Sequence, residues 1–183
     1  MSEEQLIREI KANPDKFRLV YDAHYQRIFN YCFKRTQDFD ASKDITSETF
    51  LKAFLSIGKF VWKGISLQSW LYRIATNEIN LHARSKKYRP ALLSKIDGSQ
   101  IDVTIQSDLL KEREVADREM ERHEEFIRVQ KEVAKLPMKY QEVITLKYFE
   151  KFRIKEISAI LNKPEGTIKS LLSRGIKLLK QRL

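Results

Sequence analysis

The sequence predicts an all-α protein of two small helical domains joined by a linker, the C-terminal one a helix-turn-helix. Three observations predict it. Apolar residues recur at three- and four-residue spacing along most of the chain, the period of helices with one buried face. Only 5 Gly and 4 Pro stand among 183 residues, too few to punctuate a hairpin-rich sheet. Leu, Ile, Lys, Arg and Glu dominate, a composition that favours helix. At 42% apolar, the chain can bury a core in each domain.

The elements follow in order. Ser2, with Gln5 three residues on, forms a capping box that opens a short helix ending before Pro14. Phe17, Val20, Tyr21, His24, Ile28, Tyr31 and Cys32 mark the buried face of a longer helix, with His24 a core or helix-contact residue. Ser42 is placed as the cap of a third helix, Lys43 to about Ile57. Ile45, Thr49, Phe50 and Phe54 form its apolar side; Asp44, Ser47, Glu48 and Leu51 share the outward side. Gly58 to Ser66 reads as a loop holding Phe60, Trp62, Lys63 and Gly64. A fourth helix starts near Leu67, runs into the basic cluster Arg84, Lys86, Lys87 and Arg89, and ends at Pro90. Residues 91–106 read as linker, on Pro90, Gly98 and scattered polar residues. Ile101, Val103 and Ile105 alternate like a strand, with nothing nearby to pair with. Charged helix resumes near Ser107 and is broken by Leu136-Pro137. Helices at about 139–149, 153–161 and 164–182 complete the chain. The expected organisation is a first domain over 1–90, a linker and the start of a charged helix over 91–125, and a second domain over 126–183.

Charge follows this division. The net +10 splits into +6 over 1–90, −5 over 91–125 and +9 over 126–183. Two basic lobes suit a polyanion contacted at two places. Cys32 is the only cysteine, which rules out an intrachain disulfide and fits a reducing compartment. Its apolar neighbours mark it as a structural thiol. No stretch reaches the length of a membrane span and the N-terminus lacks a signal-peptide core, so the expected location is cytoplasmic. No P-loop, metal-ligand spacing or nucleophile–base pair stands out, so neither an enzyme nor a cofactor is expected.

The last fifty or so residues carry a helix-turn-helix pattern. Ile154, Ile157, Ile160 and Leu161 make one helix amphipathic, and Asn162-Lys163-Pro164 makes the turn. In the next helix Ile168, Leu171, Leu172 and Leu179 face inward. Lys169, Ser170, Ser173, Arg174 and Lys177 are left outward, donors suited to phosphates and base edges. In the first lobe, a helix at about 100° per residue brings Arg73, Asn77, Asn80 and Arg84 within roughly a 60° arc. Trp70, Leu71, Ile74 and Leu81 lie on the other side. The aromatic loop just before that stripe, with Phe60 and Trp62, suits unpaired bases that stack on rings while cations meet phosphates. A lid packed on the core is the alternative for those two rings.

Taken together and in this order, the segments DITSETFLKAF (44–54), SWLYRIATNEINLHARSKK (69–87) and 136–179 resemble bacterial RNA polymerase sigma factors of the extracytoplasmic-function group of the sigma-70 family. The resemblance covers nearly the whole chain. It implies a region 2-like first domain and a region 4-like second domain of the winged-helix-like type. It implies a promoter-specificity factor that binds core RNA polymerase, recognises −35 and −10 elements and promotes strand melting. Asp44, Ser47, Glu48 and Leu51 would contact the clamp coiled coil of the largest polymerase subunit; Ser47 stands where the family usually has Gln. Phe60 and Trp62 would hold a flipped −10 base, and Arg73, Asn77, Asn80, Arg84, Lys86 and Lys87 would face the melted strand. Thr167, Lys169, Ser170, Ser173, Arg174 and Lys177 would enter the −35 major groove, with Leu171 where many relatives carry Arg. The linker would thread toward the RNA exit path, and an anti-sigma factor is a further partner found in the family. The rival reading is a helix-turn-helix regulator that binds duplex operators without polymerase.

Overall fold

The computed structural model describes residues 2–60, 65–88 and 125–183, with the backbone alone at 86–88. Trp62, the side chains of Lys86 and Lys87, the linker 91–106 and the start of the charged helix lie outside the described residues. All regular structure among the described residues is helical.

Helix α1 (Glu3–Ala12) opens on the expected capping box. Gln5 N–H donates to Ser2 Oγ at 3.2 Å, and Ser2 N–H donates to Gln5 Oε1 at 3.0 Å. Pro14 ends that run by starting a single 3-10 turn, Pro14–Lys16. Helix α2 (Phe17–Thr36) stops at Gln37, which takes the left-handed conformation at φ 54°. Helix α3 (Phe39–Ser56) starts four residues before the expected Lys43. Asp38 is its cap, accepting from Ala41 N–H at 3.0 Å. Ser42 is inside the helix and buried. Its hydroxyl donates to Asp38 O at 2.5 Å and pairs with Thr36 Oγ1 at 2.7 Å. Thr46 and Thr49 are buried likewise, each donating to the carbonyl four residues back at 2.7 Å. Small satisfied hydroxyls let α3 pack closely against its neighbours at no cost in unpaired polar groups. Helix α4 (Leu67–Tyr88) follows, with Ser66 Oγ accepting from Ser69 N–H at 3.1 Å.

Helices α2, α3 and α4 form a bundle around Val20, Ile28, Tyr31, Ile45, Phe50, Leu71 and Ala75, with α1 at one end. Cys32 lies in that core, and burial pushes its thiol up to about 12. Since the thiolate is the nucleophile, iodoacetamide should leave Cys32 unmodified in the native protein and label it fully in urea, as read by mass spectrometry. Rapid native labelling would show that this core opens. His24 is half-buried, and desolvation followed by the charge of Arg27 lowers its pKa below the ordinary value.

The second domain comprises α5 (described over 125–134), α6 (Met138–Ile144), α7 (Ile154–Leu161) and α8 (Glu165–Lys180). The expected single helix over 139–149 is instead α6 followed by a π-helical turn, Thr145–Phe149. Glu150 N–H reaches back to Thr145 O at 3.0 Å and Phe152 N–H to Leu146 O at 3.0 Å. The widened turn buries both Leu146 and Phe152 and sets Glu150 toward the first domain. Asn162, left-handed at φ 52°, makes the sharp turn between α7 and α8. Gly175 lets α8 press onto α6: a Cβ there would lie 3.0 Å from Ile144 Cδ1 and 3.2 Å from Tyr140 Cβ. Gly175→Val should therefore cost about 1–3 kcal/mol of stability in a urea melt, an overpacking effect. An unchanged midpoint would show that the two helices part freely.

The two domains are in contact. Helix α7 packs on α4, the π turn lies beside α2, and the buried apolar residues of both domains form one continuous cluster.

Candidate nucleic-acid and partner interfaces

Three surfaces collect the residues that the sequence singles out. The first is the outward side of α3. Asp44 and Ser47 are exposed, Leu51 is half-exposed, and Glu48 is partly covered. Glu48 forms an ion pair with Lys52 at 3.3 Å, and Lys52 also bonds Glu78 of α4 at 2.7 Å. The bond to Glu78 is the main reason that the Lys52 pKa is raised, with Glu48 a lesser one. Leu55 shares this face. Leu55 is 71% exposed, the most exposed large apolar side chain among the described residues. It stands four residues beyond Leu51 and falls inside the arc that spans Ser47 to Glu48. That spacing is legible in the sequence, but Leu55 lies one residue beyond the 44–54 segment.

The second surface is on α4. Phe60 lies against Trp70 in a tilted pair, with ring centroids 4.7 Å apart and planes at 46°, and both pack against the core. Lys11 holds the loop by donating to Phe60 O at 2.8 Å. The stripe Arg73, Asn77, Asn80 and Arg84 is one face of α4, but its members have two different surroundings. Asn77 and Arg84 are exposed. Arg73 Nε donates to Ala159 O of α7 at 3.0 Å, and its Nη2 donates to the same oxygen. Asn80 Nδ2 donates to Glu142 Oε1 at 3.0 Å. Beside them, Tyr72 OH donates to Glu150 Oε2 at 2.6 Å and Lys34 Nζ to Glu150 Oε1 at 2.8 Å. Burial first, then the Glu150 carboxylate, raises the Tyr72 pKa and keeps the phenol protonated.

The third surface is α8. Ile168, Leu172 and Gly175 are buried, while Thr167, Lys169, Ser170, Ser173, Arg174 and Lys177 are all exposed. At about 100° per residue the six exposed donors span roughly 160°, opposite the buried three. Such a helix can enter a groove without disturbing its own core. Among the described residues, no group of three or more His, Cys, Asp or Glu could hold a metal ion, and no helix is long and apolar enough to cross a membrane.

Comparison with known proteins places this geometry. Sigma-70 region 2 matches residues 20–89, and Sigma-70, region 4 matches residues 126–179. The chain is similar to the ECF RNA polymerase sigma factor SigW of Bacillus subtilis, at 31% identity over 94% of this chain and 91% of that one. It is similar to the RNA polymerase sigma factor YlaC of the same organism, at 29% identity over 92% of each. It also resembles the RNA polymerase sigma-H factor of Pseudomonas aeruginosa, at 26% identity over 94% of this chain and 89% of that one. Two solved structures share the fold. CnrH in complex with the cytosolic domain of CnrY superposes with a TM-score of 0.66 at 17% identity, over 98% of this chain and 95% of that one. The sigma factor RpoE in complex with the anti-sigma factor NepR, from Bartonella quintana, gives 0.64 at 19% identity, over 90% and 94%. Two family regions in the right order, and a full-length relative at 31% identity, lead to one conclusion: the chain belongs to the sigma-70 family, as a promoter-specificity factor of the extracytoplasmic-function group.

Proposed function

We propose that this sigma factor divides its task among the three surfaces. The outward face of α3, through Asp44, Ser47, Glu48, Leu51 and Leu55, docks on the basic coiled coil of the largest polymerase subunit. Acids beside exposed leucines suit such a partner: charge steers the encounter and buried apolar area holds it. Helix α8 enters the −35 major groove, with Arg174 and Lys169 best placed for phosphates and base edges. Helix α4 and the loop before it receive the melted −10 strand, with Asn77 and Arg84 nearest to solvent. Trp62, Lys86 and Lys87 join this surface on the sequence alone. Unstacking costs a few kcal/mol per step. Stacking offsets it at about 1–3 kcal/mol per base.

The observation that carries this reading is the clean division of α8 into a buried apolar side and an exposed side bearing donors. The chain acts without a catalytic step or cofactor of its own, in the cytoplasm, with an anti-sigma factor as a further partner. The test adds the purified chain to core polymerase with a genomic DNA library and sequences the transcripts. Initiation at start sites sharing one pair of −35 and −10 sequences is expected. Absence of polymerase binding and of promoter-dependent initiation overturns the proposal. Duplex binding without polymerase would then point to an independent regulator.

A further inference from the structure

We propose that the cavity beside Arg35 is a binding site for a small organic phosphate, a phosphate monoester with a compact apolar body. It uses none of the residues assigned above to polymerase or DNA. Arg35 stands in the last turn of α2 and is only 6% exposed. Its guanidinium keeps its charge at any physiological pH. Yet its hydrogen bonds among the described residues go to neutral groups. Nη1 donates to Tyr31 OH at 3.1 Å and Nε to Gln141 Oε1 at 3.4 Å. Nη2 is buried with no partner. The helix C-terminus and the Tyr31 ring, 5.9 Å away, compensate part of the charge. A buried cation still calls for a counter-charge, and the partner that fits is an anion.

Room for that anion is present. Arg35 lines a cavity of about 300 Å³. Ile79, Leu136 and Met138 give it apolar walls, and no acid lines it. His82 lines it too, and His82 Nε2 is a second buried nitrogen without a partner. A mostly apolar hollow with a few convergent polar groups is the usual form of a small-molecule site. A second cavity, of about 430 Å³, shares Arg35 and Thr36 with the first. Arg128, Lys131 and Lys135 line it, all exposed. Its one acid, Glu132, is paired with Lys135 at 2.6 Å. Exposed cations therefore stand beside the buried one and draw anions toward it. A phosphate monoester brings roughly two negative charges near neutral pH and three acceptor oxygens. That matches Arg35, His82 and the outer cations better than a carboxylate does. Water would satisfy the two nitrogens but not the charge.

Calorimetric titration of the full chain with phenyl phosphate tests the site. One molecule should bind per chain. Inorganic phosphate, which lacks the apolar body, should bind at least about tenfold more weakly. Arg35→Met keeps an apolar stem and removes the charge. It should weaken phenyl phosphate binding by about 10–100-fold, the effect of losing a charge-assisted contact. Its urea midpoint should be equal or higher, because an unpaired buried cation is gone. Ala83→Leu adds bulk to the cavity lining and leaves every charge in place. It should abolish the preference for phenyl phosphate over inorganic phosphate, and it decides the matter if Arg35→Met does not fold. Full-strength binding in Arg35→Met would mean general attraction to a basic surface, and overturns the site. So does an unchanged preference in Ala83→Leu, or the absence of any binding at millimolar phenyl phosphate, the result for a cavity that holds only water. Equal affinity for benzoate overturns the assignment to phosphate.

Discussion

Reversing both acids of the α3 face, Asp44→Arg with Glu48→Arg, should weaken binding to core polymerase by at least about a hundredfold. Like charges placed against each other cost several kcal/mol, and each factor of ten needs only about 1.4. The two positions will not contribute equally. Asp44 is exposed and makes no ion pair among the described residues, whereas Glu48 pairs with Lys52. The single change at Asp44 should therefore account for most of the loss. The measurement is fluorescence anisotropy of labelled chain titrated with core enzyme at two salt concentrations. The loss should shrink as salt rises, because exposed charges are screened within about 8–10 Å near physiological ionic strength. Circular dichroism and −35 duplex binding serve as controls and should be unaffected. If polymerase affinity survives the double reversal, α3 is not the docking face.

The second large effect is expected on α8. Arg174→Ala should cost about 1–3 kcal/mol of −35 duplex affinity, the range for losing a two-pronged contact to a base edge, and should relax preference at one base pair. Lys169→Ala should weaken all duplexes alike and reduce the slope of log affinity against log salt by about 1. Both side chains are exposed, so melting temperature should hardly change. A purely general loss at Arg174, without altered preference, would move it from reading bases to holding the backbone.

The parts of the molecule that were legible in the sequence are those written locally. The Ser2/Gln5 box, the Pro14 stop and the sidedness of α8 each need only a few neighbouring residues, and each is where the sequence put it. The observed start of α3 differs from the expected one because Ser42 has the chemistry of a cap but Asp38 serves as one. The Ser42 hydroxyl is drawn instead into a buried bond with Thr36, which no local rule reveals. The π turn after α6 was invisible because it is set by where Leu146 and Phe152 must go. The stripe on α4 could be drawn from spacing alone. Its partners in the second domain could not, since Arg73 and Ala159 are 86 residues apart and Asn80 and Glu142 are 62 apart.

Lys52 has a consequence for genetics. Its ammonium group sits between Glu48 on α3, the helix proposed to dock on polymerase, and Glu78 on α4, the helix proposed to receive the melted strand. The two helices therefore draw on a single counter-ion. A substitution at Glu78 hands Lys52 wholly to Glu48 and thins the negative charge offered to the polymerase. An allele at Glu78 would be mapped, by its place on α4, as a defect in promoter opening. Its physical origin would be on the next helix, and its suppressors should be sought at Glu48.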